Sequence, residues 1–306
     1  MSSRAGRGAG IRHVAWFYRA QADYLRAVEE FVRAGQACGE PVLVAVRRIQ
    51  LPGDWRPPAG PGVTIADMAA MGSNPARIIP ALQAFRALHQ GQRIRYLGEP
   101  AWRGRTVAEL QEIARHEVLL NLAFAESELT AFCPYSALLP QHVIDEATST
   151  HPCVLADGTE HASPGYQSPS DYLAKLDWRL PAPATAQVLE YAGDLRPVRA
   201  LVDAIAQRAG LPSSRRTDLV IAASEVAANT LRHTSGTGTV RLWFTASEVL
   251  CQLEDSGFIT DPLAGHWRPA GDSAGGQGLW LVNQLCDLAE IRTGELGTTV
   301  RLHMYR

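Results

Sequence analysis

The order of strand-like and helix-like segments changes once along this chain, and that change limits the possible folds more than any other feature. Between residues 12 and 162, short runs rich in β-branched and aromatic residues alternate with helical stretches, beginning with HVAWFY, AQADYLRAVEEFVRAGQACGE and PVLVAV. Strands that alternate with helices predict a layered α/β domain around a mostly parallel sheet. We therefore expect residues 12–162 to form one such domain.

The next stretch is rich in proline and small polar residues. It reads SPGYQSPSDYLAKLDWRLPAPATAQ, and its weak periodicity predicts a linker over residues 163–187. Residues 188–306 then begin with a strand-like run and two helical stretches, and most of their strand-like runs come later. Helices followed by antiparallel strands predict an α+β sandwich in which helices cover one face of the sheet.

Composition narrows the class of protein. With 46% hydrophobic and 20% charged residues, the chain is neither disordered nor fibrous and can bury sizeable cores. A formal net charge of -2 gives no reason to expect direct binding of nucleic acid or of an anionic membrane. Residues 1–11 are small and basic without the apolar run of a signal peptide, and we expect them to be disordered. Because such a run and any apolar stretch near 18 residues are missing, we expect a cytoplasmic protein. The five cysteines are scattered, so we expect reduced thiols.

One helical stretch carries polar residues at a regular interval. In RRTDLVIAASEVAANTLRHT the apolar residues recur every three or four positions, which predicts an amphipathic helix. Glu225 and Asn229 are four residues apart, so their side chains leave one face about one turn apart. Oxygen ligands suit Mg²⁺, which takes few ligands from protein and leaves the rest to water and phosphate. The alternative is that both are ordinary solvated positions.

Three later segments carry residues suited to a nucleotide. Asp255 ends a strand-like run in CQLEDSGF and Gly257 follows, so a carboxylate adjoins a backbone that a ligand can approach closely. Gly276 and Gly278 in SAGGQGLWLV come directly before an apolar helix, where unsatisfied N–H groups favour phosphate. Thr299 lies in the last strand-like run, GTTVRLHM. Taken singly, these segments also fit a turn, a flexible loop and a strand.

In their order and spacing, these segments resemble the Bergerat-type ATP site of DNA gyrase, histidine kinases and MutL. LVIAASEVAANTLRHT, LEDSG, GGQGLWLVNQLCD and GTTVRLHM look most like the anti-sigma factor serine/threonine kinases of bacteria, over roughly residues 185–306. The resemblance implies that residues 188–306 form a Bergerat-type, histidine-kinase-like ATPase sandwich that binds ATP and Mg²⁺.

The resemblance also implies a role for each site residue. Asn229 would ligate the Mg²⁺ that bridges the triphosphate, and Glu225 would be the general base toward a protein serine hydroxyl. Asp255 would accept a hydrogen bond from the adenine amine, while Gly257 would let the base and sugar approach. Thr299 would support Asp255 near the base.

Gly276 and Gly278 would wrap the phosphates by the same resemblance. Two nearby residues depart from the family pattern. Thr230 stands where alanine is usual, and Gln277 stands where family members often have arginine. Neither departure removes a key ligand, but the second weakens the expected contacts of the lid to phosphate.

Residues 12 to about 162 have a resemblance of their own. HVAWFYRAQADYLRAVEEFVRAGQACGEPVLVAV, HEVLLNLAF and FCPYSALLP look like the MEDS sensory domain, which precedes kinases and regulators and resembles degenerate RecA-type ATPases. This segment lacks the phosphate-binding GxxxxGKS/T motif, so we expect it to receive a small-molecule ligand and not to catalyse. We expect His116 at a helix surface. Five further residues could in principle form a metal or redox site, but they lack recognised metal-ligand spacing, and we expect ordinary packed or surface roles for them: His13, Cys133, His142, His151 and Cys153.

Together the two resemblances imply an anti-sigma regulatory factor. Such a protein binds ATP and Mg²⁺, holds a sigma factor and phosphorylates a serine of an anti-anti-sigma antagonist, here under the control of a sensory domain. We expect a homodimer without direct contact to nucleic acid or membrane. Two alternatives stay open: a nucleotide-binding module that sequesters its partner without phosphoryl transfer, and an atypical sensor histidine kinase. The absence of a phosphoacceptor helix directly before residue 188 disfavours the second.

Overall fold

The computed structural model describes residues 10–53, 55–56, 58, 60–176, 180–268 and 277–306. The chain divides into two compact units. The first comprises Met1–Gly72 and Ala81–Leu173, and the second comprises Ser73–Pro80 and Ala174–Arg306. Most of the N-terminal segment expected to be disordered, residues 1–11, lies outside the described residues, and the domain boundaries at 162 and 188 remain predictions.

The first unit is built on a seven-stranded sheet, as the alternation of segments predicts. Its strands lie in the order β3-β2-β4-β5-β1-β6-β7, and every neighbouring pair is parallel except β6 and β7. The strands are β1 (Arg12–Tyr18), β2 (Val42–Val46), β3 (Val63–Asp67), β4 (Ile94–Gly98), β5 (Leu129–Ser136), β6 (Cys153–Ala156) and β7 (Thr159–Ala162). The helices are α1 (Gln21–Cys38), α2 (Met68–Met71), α3 (Ile78–Leu88), α4 (Val107–Ala123), α5 (Gln141–Thr150) and α6 (Pro169–Lys175), with a 3-10 helix at Arg48–Gln50. The 3-10 helix Pro75–Arg77, the first three residues of α3 and the last two of α6 fall in the second unit.

Helices cover both faces of this sheet. Residues of α1 pack with β1, β2 and β4 in one apolar cluster, and residues of α4 and α5 pack with β1 and β5 in another. Helix α4 begins at Val107 because Thr106 and Glu109 form a reciprocal capping box. The expected surface position of His116 on this helix is wrong. His116 is buried, because α4 has buried residues around most of its circumference.

The sequence prediction missed β7 and α6, besides the short helices Arg48–Gln50 and Met68–Met71. β7 pairs with β6 across a tight turn at Asp157 and Gly158, which both have positive φ, as Asp-Gly hairpin turns require. Helix α6 lies inside the stretch expected to be a linker, and its Tyr172 is buried and donates a hydrogen bond to Glu146. A short helix that owes its stability to one buried aromatic contact gives too little periodicity for recognition from sequence.

The second unit is an antiparallel five-stranded sheet with helices. The sheet has the order β11-β12-β10-β9-β8, and each neighbouring pair is antiparallel. The strands are β8 (Gln187–Ala192), β9 (Thr237–Phe244), β10 (Glu248–Asp255), β11 (Leu288–Gly294) and β12 (Gly297–Tyr305), and the helices are α7 (Arg196–Arg208), α8 (Ser213–His233) and α9 (Gln277–Leu285). This is the α+β sandwich that the sequence predicts.

One apolar core joins the sheet and helices of the second unit. The buried faces of α7 and α8 pack on the even-numbered residues of β12, Val300, Leu302 and Met304. Alternate residues of a strand face opposite sides of a sheet, so the odd-numbered residues of β12 face away from these helices. Among the described residues, no helix is long and apolar enough to cross a membrane.

Candidate nucleotide-binding site

Helix α8 presents the predicted metal ligand and base along one edge of its buried face. Its core-facing residues, which include Val226 and Ala227, are buried against the sheet, whereas Glu225 and Asn229 are half-buried. The two polar side chains converge on the first turn of α9. A Cβ atom on Gly278 would lie 3.0 Å from Glu225 Oε2 and 3.3 Å from Asn229 Nδ2. Glycine therefore leaves room between the backbone of α9 and this polar pair.

A cavity of about 540 Å³ opens beside Asn229, the member of this pair that lines it. Asn229 and Gly278 line one end, and Asp255 and Gly257 line another part of the wall. Ligand cavities in proteins are typically about 300–1,000 Å³, so a nucleotide is of suitable size for this one. The cavity thus joins residues of α8, the end of β10 and the start of α9, which are distant in sequence.

The carboxylate of Asp255 is held in a fixed orientation at the cavity wall. Its Oδ2 accepts a hydrogen bond from the Thr230 hydroxyl at 2.7 Å, and its Oδ1 accepts one from the Gly257 N–H at 2.7 Å. Thr230 in turn accepts a hydrogen bond from the hydroxyl of Tyr191 at 3.0 Å. Burial raises the pKa of Tyr191 to about 12, so the phenol stays protonated and donates. Two oxygens fixed in this way retain lone pairs that can accept from a ligand amine.

Thr230 is therefore a member of the site that the sequence prediction treated only as a departure from the family pattern. It is buried on the core-facing side of α8 and reaches Asp255 from one residue beyond Asn229. The sequence did contain a sign of this role, because Thr230 falls on the apolar face of the predicted helix and a buried hydroxyl needs a hydrogen-bond partner.

Gly257 lies where a side chain would collide with its neighbours. A Cβ atom there would lie 2.6 Å from Thr234 Cγ2 and 2.9 Å from Asp255 Oδ1. The residue also donates its N–H to Asp255 and accepts a hydrogen bond on its carbonyl from the Thr298 hydroxyl at 2.9 Å. The absence of a side chain thus keeps the turn after β10 close to the carboxylate and open to the cavity.

The last strand contributes Thr298 to the cavity, and not Thr299 as the resemblance implies. Thr298 pairs with Asp255 across β10 and β12 and lines the cavity beside Val300. Thr299 pairs with Glu254 and, as the next residue of the strand, faces the opposite side of the sheet. The strand was recognised correctly, but a shift of one residue exchanges the two faces.

Gly276 lies outside the described residues, so its predicted contact with phosphate remains a prediction. Gly278 and the exposed Gln277 form the first turn of α9, a helix of nine residues. The first turn of a helix has N–H groups without helical partners and the positive end of the helix dipole. This turn adjoins the cavity at Gly278, where an anionic group would be stabilised.

Apolar residues form the rest of the wall. Phe258, Ile259 and Trp267 line the cavity after Gly257, together with Leu279 of α9. Phe258 is 62% exposed and Trp267 is 41% exposed, so two large aromatic side chains present apolar surface at the cavity. A purine could pack on such a wall while its amine bonds to Asp255. The sequence prediction did not identify these residues, because they lie in an aperiodic loop.

The donor set fits ATP and Mg²⁺. A magnesium ion needs hard oxygen ligands, which Asn229 Oδ1 and the phosphates of a bound nucleotide would supply, and the glycines leave space where a Cβ atom would intrude. Asn229 Oδ1 also accepts a hydrogen bond from Arg232 Nη2 at 3.0 Å. A cation and this guanidinium would both use Asn229 Oδ1, and two positive charges at one amide oxygen repel each other, so Arg232 would oppose metal binding in its present position.

Comparisons with known proteins identify a family for each part of the chain. Residues 12–152 match the family described as MEDS, methanogen/methylotroph, DcmR sensory domain, and residues 190–304 match the family described as histidine kinase-like ATPase domain. No curated protein matches the chain significantly.

Solved structures with a significant match include the RsbU and RsbW domains of Rv1364c from Mycobacterium tuberculosis. That match has 23% sequence identity and a TM-score of 0.29, and it covers 42% of this chain. It covers 34% of the other chain, so the similarity extends over about a third of that protein's length. The two family matches show that this chain joins a MEDS sensory domain to a histidine kinase-like ATPase domain of the GHKL type.

Proposed function

We propose that this protein is an ATP- and Mg²⁺-dependent protein serine/threonine kinase that holds a sigma factor and phosphorylates a serine of that factor's antagonist. The observation that carries the proposal is the placement of Glu225 and Asn229 against Gly278, at a cavity whose wall also holds the fixed carboxylate of Asp255. A base, a metal ligand, a helix N-terminus and an amine acceptor are the parts that phosphoryl transfer from ATP needs.

Each residue has a distinct proposed role. Asp255 accepts a hydrogen bond from the adenine amine, and Asn229 holds the Mg²⁺ once Arg232 has moved. Glu225 accepts the proton of the serine hydroxyl as the serine oxygen bonds to the γ-phosphorus and the bond to ADP breaks. When bound, the metal ion neutralises charge on the phosphates. Little covalent chemistry falls to the protein, so the geometry of these groups determines the rate.

Two variants of α8 separate binding from transfer. In Glu225→Gln, Mg²⁺-ATP affinity measured by calorimetry should stay within about twofold, and transfer should fall at least about a hundredfold, the usual contribution of a general base. In Asn229→Ala, Mg²⁺-dependent affinity and transfer should fall together. Glu295→Gln, on the exposed turn between β11 and β12, is the matched control. Equal transfer by Glu225→Gln and wild type would refute the base assignment.

The partner and the acceptor residue need a separate experiment. The full chain is purified from its own cells with whatever proteins it binds, incubated with radiolabelled ATP, and the products are identified by mass spectrometry. Acid-stable phosphoserine on a small co-purified protein supports the kinase, whereas acid-labile phosphohistidine supports the atypical histidine kinase. Light scattering of the purified chain tests the proposed homodimer.

A partner-sequestering module without transfer is the second candidate, and the contact between Arg232 and Asn229 favours it. A guanidinium already occupies the oxygen that Mg²⁺ needs. Under the kinase proposal, Arg232→Ala frees Asn229 and raises Mg²⁺-ATP affinity. Nucleotide binding that is independent of Mg²⁺ in both wild type and Arg232→Ala, with a stable partner complex and no transfer, would establish the second candidate.

We further propose that the MEDS domain regulates the kinase through a small-molecule ligand. Coupling of this kind is reciprocal, so a regulator that changes ATP affinity must itself bind with changed affinity when ATP is present. The test is calorimetry on the full chain, with each candidate compound titrated with and without Mg²⁺-ATP. Equal affinities in both conditions for a compound that does bind would show a ligand without a regulatory role.

A further inference from the structure

Four side chains with metal-ligating atoms meet inside the first unit. His13 lies on β1, Glu117 on α4, Cys133 on β5, and His151 directly after α5. One donor atom from each lies within 4.8 Å of the other three. At most 1% of each residue's surface is exposed. The cluster therefore lies in the interior of the first unit, between the sheet and its covering helices, and not at the surface.

The sheet topology brings these residues together from distant parts of the sequence. β1 and β5 are adjacent and parallel, with Ala15 opposite Cys133, so the odd-numbered residues of both strands face one side. That side is covered by α4 and α5. His13 and Cys133 thus point from the sheet, while Glu117 and His151 come from the covering layer.

The distances between donor atoms match a four-coordinate site. His13 Nε2 lies 3.2 Å from Glu117 Oε2 and 3.4 Å from Cys133 Sγ. Glu117 Oε2 lies 3.8 Å from Cys133 Sγ and 3.6 Å from His151 Nε2. With metal–ligand bonds of about 2.0–2.3 Å, neighbouring ligands of a tetrahedral Zn²⁺ site lie roughly 3.3–3.8 Å apart. Four of the six donor–donor distances therefore fit a site for one metal ion, and the other two are at most 4.8 Å.

Hydrogen bonds fix both imidazoles with Nε2 toward this space. Asn121 Nδ2 donates to the carbonyls of Glu117 and Thr150, so its Oδ1 faces His13 Nδ1 at 2.9 Å and accepts the proton there. His151 Nδ1 lies 2.8 Å from the carbonyl of Ala147, to which it donates. Each ring then has a lone pair on Nε2 when neutral. Metal-binding histidines are oriented by an outer N–H bond of this kind.

The remaining polar groups leave electron pairs that face one another. His151 Nε2 is buried and has no hydrogen-bond partner, and it faces the carboxylate oxygen of Glu117. The other oxygen, Glu117 Oε1, accepts a hydrogen bond from the Tyr135 hydroxyl at 3.0 Å and is thereby oriented. A buried lone pair opposite a carboxylate is unfavourable unless a cation lies between them.

We propose that His13 Nε2, Glu117 Oε2, Cys133 Sγ and His151 Nε2 bind one divalent ion of the zinc class in a closed, four-coordinate site. Two imidazoles, a thiolate and a carboxylate form a donor set that Zn²⁺ accepts. On binding, the Cys133 thiol gives its proton to solvent and its sulfur electron pair to the metal. The ion links β1, α4, β5 and the segment before β6, so it stabilises the fold of the first unit.

This site is independent of the proposed nucleotide chemistry, and its test needs no activity. The full chain is produced in medium supplemented with Zn²⁺ or with Co²⁺, and metal is quantified after gel filtration. We expect one ion per chain. The cobalt protein should show a thiolate-to-cobalt charge-transfer band in the near ultraviolet and the intense visible bands of four-coordinate Co²⁺.

Variants assign the ligands. Cys133→Ser should remove the charge-transfer band and the bound metal. Cys153→Ser, at a half-buried position of β6, is the matched control and should keep both. Asn121→Ala leaves every ligand in place but removes the partner of His13, and metal affinity in chelator competition should fall about 10- to 100-fold.

Three results would overturn the proposal. The first is wild-type protein that is folded by circular dichroism and holds much less than one ion per chain from both media. The second is six-coordinate cobalt without a charge-transfer band. The third is equal loss of the band in Cys133→Ser and Cys153→Ser. If Cys133→Ser does not fold, the metal stoichiometry and cobalt spectrum of the wild type still decide between two alternatives. These are a metal site and a metal-free ion pair in which a proton lies between His13 and Glu117.

Discussion

Replacing Asp255 by asparagine tests the proposed base recognition most directly. The substitution keeps the shape of the side chain and removes its charge. In the structure both carboxylate oxygens already accept a hydrogen bond, one from Thr230 and one from the N–H of Gly257. An asparagine can keep the second bond through its oxygen. Its amide group must then face Thr230 and the cavity, so a donor replaces the acceptor that an adenine amine needs.

The magnitude follows from the loss of one hydrogen bond to a charged acceptor. Such a bond contributes about 1.5–3 kcal/mol, which corresponds to a roughly 10- to 100-fold change in Kd. Guanine presents a carbonyl oxygen where adenine presents its amine. The same variant should therefore bind GTP at least as well as the wild type does, and the preference for ATP over GTP should disappear.

Calorimetry with Mg²⁺-ATP and Mg²⁺-GTP measures both constants. Asp261→Asn is the matched control, since Asp261 lines the same cavity but caps the N–H of Leu263 in an exposed turn. We expect it to change neither Kd by more than about twofold, because an exposed charge contributes little. An unchanged ATP to GTP preference in Asp255→Asn, or an equal change in Asp261→Asn, would refute the assignment of Asp255.

Three further predictions concern the space beside Glu225, the contacts of Arg77 with the end of α9, and the buried carboxyl group of Glu99. Gly278→Ala should leave the melting temperature unchanged or higher, because alanine favours helix, yet lower phosphoryl transfer about tenfold or more, because its Cβ would lie 3.0 Å from Glu225 Oε2. Arg77→Ala should lower the free energy of unfolding, measured in urea titrations, by about 3 kcal/mol. Arg77 lies in the second unit and donates hydrogen bonds to three carbonyls at the end of α9, those of Asn283, Gln284 and Cys286. Burial raises the pKa of Glu99 from 4.5 to about 7, so folding favours the neutral acid. The stability that this protonated group contributes is therefore complete below pH 4.5 and is lost as the pH rises through about 7. The wild type should therefore lose about 3 kcal/mol relative to Glu99→Gln between these limits, at about 1.4 kcal/mol per pKa unit.

Each of these three predictions has its own control variant or reference curve. Gln277→Ala alters the same turn of α9 without adding an atom near Glu225, and transfer as low as in Gly278→Ala would show a general helix effect. Arg86→Ala removes an exposed arginine of α3, and a loss of stability equal to that of Arg77→Ala would contradict the capping role. Parallel stability curves for wild type and Glu99→Gln across pH 4–8 would show that Glu99 does not titrate as its burial implies.

Much of the candidate site could be predicted because its spacing is local. Glu225 and Asn229 are one helical turn apart, so any helix over this stretch puts them on one face. Asp255 and Gly257 lie at the end of a strand that the sequence predicted from its apolar run. The class of each unit also followed from the order of strand-like and helix-like runs, since parallel strands need crossovers and antiparallel strands do not.

The register of a strand was harder to predict from the sequence than its position. The sequence predicted β12 but not which of two adjacent threonines faces the helices, and pairing with β10 selects Thr298. The side-chain period of a strand is two residues, so an error of one position exchanges the faces completely. The role of Thr230 was hidden for a related reason, because only the packed helix shows that its hydroxyl meets Asp255.

Other features depended entirely on contacts between distant segments. His13, Glu117, Cys133 and His151 have no ligand spacing in the sequence, because four separate elements carry them and the parallel pairing of β1 and β5 brings them together. Ser73–Pro80 belongs to the second unit although it lies within the sequence of the first. Patterns of three, four or two residues encode the shape of single helices and strands. Which of those elements become neighbours depends on the burial of all their apolar faces at once, and that only the tertiary structure decides.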